Sequence, residues 1–132
     1  MCGILGEFGK SILDRTEFYK LNNLSKKRGP DMDGYWTDHS VCQLGFNRLS
    51  ILDLSDNGNQ PMVSQNGEWV MIMNGEVYNF PEIRKMLGKS KTDFISQTDT
   101  EVVLAAFEAW GIEKTLDIIN GIFAIALYER DN

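Results

Sequence analysis

The sequence predicts an α+β fold in which helices and sheets form separate layers, and three observations carry that reading. Apolar runs of strand length recur along the chain. Two longer stretches carry helical spacing instead, and the two kinds of element follow one another without the strict strand–helix–strand alternation of a doubly wound parallel sheet. The length of 132 residues and the 42% hydrophobic and 24% charged composition suit one soluble globular domain spanning 1–132.

Taken in order, "CGILGEFG" reads as a short buried strand, with its glycines marking close backbone approach. Residues 16–27 place Phe18, Leu21 and Leu24 at spacings of three, one stripe of an amphipathic helix. "RGPD" ends that helix, because Pro30 drives its predecessor out of helical geometry. Strands around "DGYWTD" and "VCQLGFNRL" follow, joined by a polar turn at Asp38, His39 and Ser40. "SDNGNQPM" is a turn-rich loop. "EWVMIMN" is an almost unbroken apolar strand, expected to be buried on both faces and to stop at "NGE". A short helix begins near Pro81, and a brief strand is expected at Phe94 and Ile95. "QTDTEVVLAAFEAWG" is the clearest helix: Thr98 or Asp99 caps it, Glu101 favours its first turn and Gly111 stops it. The final run "GIFAIALYERDN" reads as a strand.

Composition removes several function classes. A formal net charge of −6, with no clustered basic face, argues against a nucleic-acid partner. No apolar run approaches the roughly 20 residues of a spanning helix, so the reading is cytoplasmic, with no membrane partner. Two cysteines and one histidine make neither a disulfide framework nor a metal site. No G-x-S-x-G surrounds a serine, and no phosphate-binding G-x-x-x-x-G-K-[ST] loop is present.

What remains is Cys2. If Met1 is removed, as commonly happens before a small residue, Cys2 carries a free α-amine. Such an amine titrates at about 7.7–8.0 and a cysteine thiol at about 8.5, so the amine can take the proton of its own thiol without a histidine. With Met1 attached, the Cys2 nitrogen is an amide and cannot act as a base. The competing reading is an incidental small residue that opens a strand.

"MCGI", "RGPD", "NRLSILD", "NGEVYN" and "TDTE" occur in this order. Together they resemble the class II glutamine amidotransferase domain of asparagine synthetases, and the resemblance extends through "GIFAIALYE" to the end of the chain. It implies a four-layer αββα sandwich of the N-terminal-nucleophile hydrolase type, with 1–132 a partial domain truncated at its C-terminal end. It implies hydrolysis of glutamine to glutamate and ammonia through a Cys2 thioester. Asn74 and the Gly75 N–H would form the oxyanion hole. Arg48 would hold the α-carboxylate, and Glu76 and Asp99 the α-ammonium. Leu49, Ser50, Ile51 and Leu52 would complete the pocket, and Arg28 and Gly29 would support the nucleophile. No cofactor is implied in this domain. ATP and magnesium belong to a C-terminal synthetase domain outside this chain, which would receive the ammonia. Whether the protein is a homodimer is left open.

Elementary chemistry agrees with these roles. A free amino acid needs one cation and one or two carboxylates, and a guanidinium suits a carboxylate. Outside the resemblance, "NG" is a common turn pair, Arg48 a surface ion pair and Asp99 a helix cap. Cys42 reads as an inert core residue, His39 as a turn residue, and Trp69 and Trp110 as core. Amidotransferases that make glucosamine phosphate or phosphoribosylamine carry "TRWAT" and "HNG", where this chain has "NRLSILD" and "MNG". The alternatives are a class II amidotransferase with another acceptor, a glutamine-binding module without turnover, or an N-terminal-nucleophile hydrolase of another amide.

Overall fold

In the computed structural model, which describes residues 1–130, the first half of the chain forms an antiparallel sheet. Its strands β1 (Gly3–Phe8), β2 (Met32–Thr37) and β3 (Cys42–Arg48) lie in the order β1-β3-β2. All seven residues of the central strand are buried. The two-residue side-chain period sends Cys42, Leu44 and Phe46 to one face and Gln43, Gly45 and Asn47 to the other. A second antiparallel sheet contains β4 (Met62–Val63), β5 (Trp69–Val77) and β6 (Gly121–Glu129), in the order β4-β5-β6.

The alternation in β3 and β5 builds the layers. Leu44 and Phe46 meet Val70 and Ile72 in a core between the two sheets. From the other face of β5, Met71 and Met73 pack with Val102, Val103 and Phe107 of α3 (Asp99–Trp110) and Ile83 of α2 (Phe80–Met86). On the outer face of the first sheet lies α1 (Arg15–Asn23), set down over Gly45. A Cβ there would stand 2.7 Å from Asn22 Oδ1 and 3.0 Å from the Phe18 ring. Helix, sheet, sheet and helices therefore stack in that order, an α+β arrangement. Each fully buried Leu, Ile or Phe contributes about 1.5–3 kcal/mol.

Most predicted elements are present; β4 is an additional two-residue strand that begins at Met62, inside the expected turn-rich loop, and four others differ. Helix α1 ends at Asn23 rather than at Lys27, and its buried residues are Phe18 and Asn22. Leu21 and Leu24 are exposed, because the face over β3 needs the small, polar contact that Asn22 makes beside Gly45. Strand β5 does not stop at "NGE". It runs to Val77, with Asn74, Gly75 and Glu76 paired to Ala124, Phe123 and Ile122. No strand forms at Phe94 and Ile95. The Glu101 carboxylate takes the Ile95 and Ser96 N–H groups at 2.9 and 2.6 Å, so those donors are satisfied by a side chain instead of a ladder.

The fourth difference is an additional helix, α4 (Ile112–Ile118). It is seven residues long and starts directly after the Gly111 stop, too short a window for its apolar spacing to stand out, and Ile112 and Leu116 are each 49% exposed. Gly111, at φ 78°, breaks α3 from α4 in a conformation that favours glycine. The Asp38–Ser40 turn is as expected, with His39 at φ 63°. Cys42 is fully buried, and burial pushes its thiol up to about 12. Trp69 and Trp110 pack against the helix-side core.

Candidate active site

Backbone pairing brings the start of β1 and the end of β3 together at Cys2. β1 and β3 pair from Gly3 with Asn47 onward, so the residue before Gly3 lies beside the end of β3. There the Leu49 N–H donates to Cys2 Sγ at 3.3 Å, and Sγ lies 3.7 Å from the Leu49 carbonyl oxygen. Arg28 Nε donates to the Cys2 carbonyl at 3.3 Å. Gly29 is buried against β3, where a Cβ would stand 2.0 Å from the Asn47 carbonyl oxygen.

A pocket of about 480 Å³ opens in front of this thiol, and Cys2, Arg48, Asn74, Gly75, Glu76 and Asp99 all line it. Leu49, Ile51 and Leu52 line it too, while Ser50, Arg28 and Gly29 do not. Ser50 instead donates its N–H to Asp31 Oδ2 at 2.7 Å, which fastens the start of the loop that follows β3.

Arg48 is 4% exposed, which rules out the surface ion pair. Its Nη1 donates to the Ser55 carbonyl at 2.6 Å and its Nη2 to the Asp53 carbonyl. Gly58 makes room for the guanidinium, since a Cβ at that position would stand 2.2 Å from Nη2. The Asp53 carboxylate is held at about 2 by the Ser55 hydroxyl and the Gln97 and Ser55 N–H groups. Its hydrogen bond from Gln97 N, at 2.8 Å, ties the loop to the start of α3.

On the opposite wall stands the second sheet. Asn74 Oδ1 is buried and accepts no hydrogen bond, an orphan that a pocket occupant or water would satisfy. Gly75 has φ 137°, and a Cβ on it would stand 2.0 Å from the Ile122 carbonyl oxygen. The "NG" pair is therefore a close-approach point inside a strand, not a turn. Thr98, not Asp99, caps α3, accepting the Glu101 N–H at 3.3 Å. Asp99 is 4% exposed. It accepts N–H groups from Val77 at 2.7 Å and from Thr100 at 2.9 Å. Burial pushes its carboxyl above the usual carboxylate range, against the pull of those two N–H groups, and the nearby Glu76 charge adds to the rise. The pocket thus offers one guanidinium, two carboxylates and a thiol.

Several lining residues are not among the predicted site residues: Gly58 and Gln60, and also Tyr78, Thr98 and Thr100, which lie inside the quoted motifs. Gln60 lies in the turn-rich loop, where a buried polar side chain looks like any solvated one. Among the described residues, no group of three or more His, Cys, Asp or Glu could hold a metal, and no helix is long and apolar enough to cross a membrane.

The profile of the glutamine amidotransferase domain family matches residues 1–132. Glutamine-hydrolyzing asparagine synthetase 1 of Bacillus subtilis (strain 168) is 37% identical over 137 residues, covering 100% of this chain and 21% of that protein. The nodule glutamine-hydrolyzing asparagine synthetase of Pisum sativum is 36% identical over 136 residues, covering 100% of this chain and 22% of the relative. Asparagine synthetase B of Escherichia coli (strain K12), also glutamine-hydrolyzing, is 36% identical over 135 residues, with 99% of this chain and 24% of the relative covered. The chain accordingly spans between a fifth and a quarter of the length of these relatives. A family match that runs through both sheets and every wall of the pocket leaves one assignment: the chain belongs to the glutamine amidotransferase domain family.

Proposed function

We propose that this chain hydrolyses glutamine to glutamate and ammonia through a thioester on Cys2, and that it supplies the ammonia to an ATP-dependent asparagine synthetase domain outside these residues. The fold is then of the N-terminal-nucleophile hydrolase type, and 1–132 is a partial amidotransferase domain of a longer protein. The observation that carries the reading is the convergence of a thiol, one buried guanidinium and two carboxylates on a single pocket. Those charges complement a free amino acid, and the thiol is left to meet its side chain. The ammonia acceptor rests on the names of the relatives alone.

The reaction starts once Met1, which lines the pocket at 69% exposure, has been removed. The α-amine of Cys2 takes the thiol proton, and the sulfur attacks the side-chain amide carbon of glutamine. The oxyanion is stabilised by the Asn74 side-chain amide and the Gly75 N–H. The carbon–nitrogen bond breaks, and ammonia leaves with the proton held by the amine. A water, deprotonated by the same amine, then adds to the thioester, releasing glutamate and restoring the thiol. Arg48 binds the substrate α-carboxylate, while Glu76 and Asp99 bind its α-ammonium. Leu49, Ile51 and Leu52 line the pocket, and Ser50 holds their loop. Arg28 and Gly29 seat the nucleophile.

A glutaminase assay on the Met1-free protein and on its Cys2→Ala variant tests this. Ammonia release is expected from the parent and none above background from the variant. Equal release from both would discard the enzyme reading in favour of a binding module.

A further inference from the structure

The antiparallel register of β4 and β5 pairs Met62 with Met71 and Val63 with Val70. Extended two residues further, it would set Gln60 opposite Met73, but the strand ends at Met62. Pro61 has no N–H to give, and the backbone of Gln60 turns instead toward β2. There Gly34 admits it so closely that a Cβ would stand 1.7 Å from the Gln60 carbonyl oxygen.

The side chain of Gln60 fills the missing place in the ladder. Its Oε1 accepts the Met73 N–H at 2.6 Å, and its Nε2 donates to the Met73 carbonyl at 3.2 Å. These are the two hydrogen bonds that a neighbouring peptide unit would make. The same Nε2 lies 3.3 Å from Thr100 Oγ1, one residue along α3 from Asp99. Gln60 is 6% exposed, so these bonds are shielded from water. At the other end, Asp99 Oδ2 accepts the Val77 N–H at 2.7 Å. Asn74, Gly75 and Glu76 therefore lie between two clamps that fasten β5 to the start of α3.

We infer that Gln60 is a positioning residue for glutamine hydrolysis. Its side-chain amide holds Met73, and through it the Asn74 and Gly75 donors, at a set distance from the Asp99 end of the pocket. The inference rests on the function proposed above. A donor aimed at developing charge is sensitive to small displacements, whereas ground-state binding of the amino-acid groups is less so. Loosening this clamp should reach the chemical step before it reaches substrate affinity.

The experiment uses the complete protein with Met1 removed and compares the parent with Gln60→Glu, which puts an acceptor against the Met73 carbonyl. Thr100→Val, which deletes only the outer contact, serves as the milder variant if Gln60→Glu does not fold. For Gln60→Glu, kcat for glutamine hydrolysis should fall by about 10-fold or more while KM stays within about 3-fold. For Thr100→Val, a fall of about 2- to 5-fold in kcat is expected, again at constant KM. The alkylation rate of Cys2 by iodoacetamide should stay at the parent value in both. Unchanged kcat in the folded variants, a rise in KM alone, or a parallel loss of kcat and Cys2 alkylation would each overturn the positioning role. If the parent itself released no ammonia, or Cys2→Ala matched it, the proposed function would fail instead.

Discussion

Asp99 serves the structure and, under the proposed function, would serve the ligand as well. Its two oxygens take the Val77 and Thr100 N–H groups, yet burial still raises its pKa above 3.8, with Glu76 adding to the effect. A folded-state pKa above the unfolded value means that this group's contribution to stability is present below 3.8 and is lost as pH rises through the folded value. Once ionised, Asp99 is a buried carboxylate with two N–H donors but no counter-ion of its own, and the ammonium of glutamine would supply one. Binding should lower the Asp99 pKa and release protons. Glutamine affinity should weaken as pH falls into the range where Asp99 of the free protein is protonated. Calorimetric titrations of the Cys2→Ala protein with glutamine, in buffers of different ionisation enthalpy, measure this directly. Proton uptake on binding would contradict the assignment of Asp99 to the ammonium.

Among the elements, β5 carries the most. Its first half is apolar on both faces and packs between two cores, and its second half forms a wall of the pocket. The crossing with β6 at Gly75 is so close that only glycine fits, on grounds of both φ and space. Gly75→Ala should cost on the order of 2–4 kcal/mol, from backbone strain and overpacking together, and should abolish hydrolysis. A chemical denaturation midpoint equal to that of the parent would show that the strand can yield at this point. The loop after β3 works differently. Its carbonyls at Asp53 and Ser55 engage Arg48, and the Asp53 carboxylate is anchored to Gln97, so the guanidinium is oriented by backbone that side-chain pattern does not describe.

At the scale of the whole molecule, the two sheets are held together by apolar packing and by a polar tie. Tyr128 of β6 donates to Asp38 Oδ2 at 2.5 Å, while Asp38 Oδ1 takes the N–H groups of Ser40, Val41 and Cys42 at 2.9 Å each. Burial opposes the charge on Asp38, but the Tyr128 hydroxyl and these N–H groups outweigh it and hold the carboxyl at about 2. A depressed folded pKa gives stability that is present above 3.8 and lost as pH falls toward about 2. After allowance for solvent screening of a partly buried group, that is about 1–2 kcal/mol. Asp38→Asn should be less stable by that amount at pH 7 and should show a correspondingly shallower loss of stability between pH 4 and 2, about the window set by these values. Thermal unfolding followed across pH checks both parts, and parallel pH profiles for the two proteins would refute the tie.

Local pattern was sufficient for β1, β2, β3 and β6 and for the long helix α3, whose cap it narrowed to Thr98 or Asp99, while the candidate pocket residues came from the resemblance. Side-chain periodicity, capping and glycine conformations act over a few residues and are written where they act. The same reasoning placed the α1 stripe wrongly, because burial of Asn22 and exposure of Leu21 depend on what lies across the sheet, and left α4 unseen, because seven residues behind a glycine stop are too short a window for periodicity. Only the tertiary structure decided that Leu49 would meet the sulfur of Cys2, 47 residues away. It also decided that Gln60 would stand in for a strand, and that Asp99 would be buried deeply enough for its pKa to rise. Those outcomes arise from strand register and desolvation, which are properties of segments brought together and have no counterpart in any one of them.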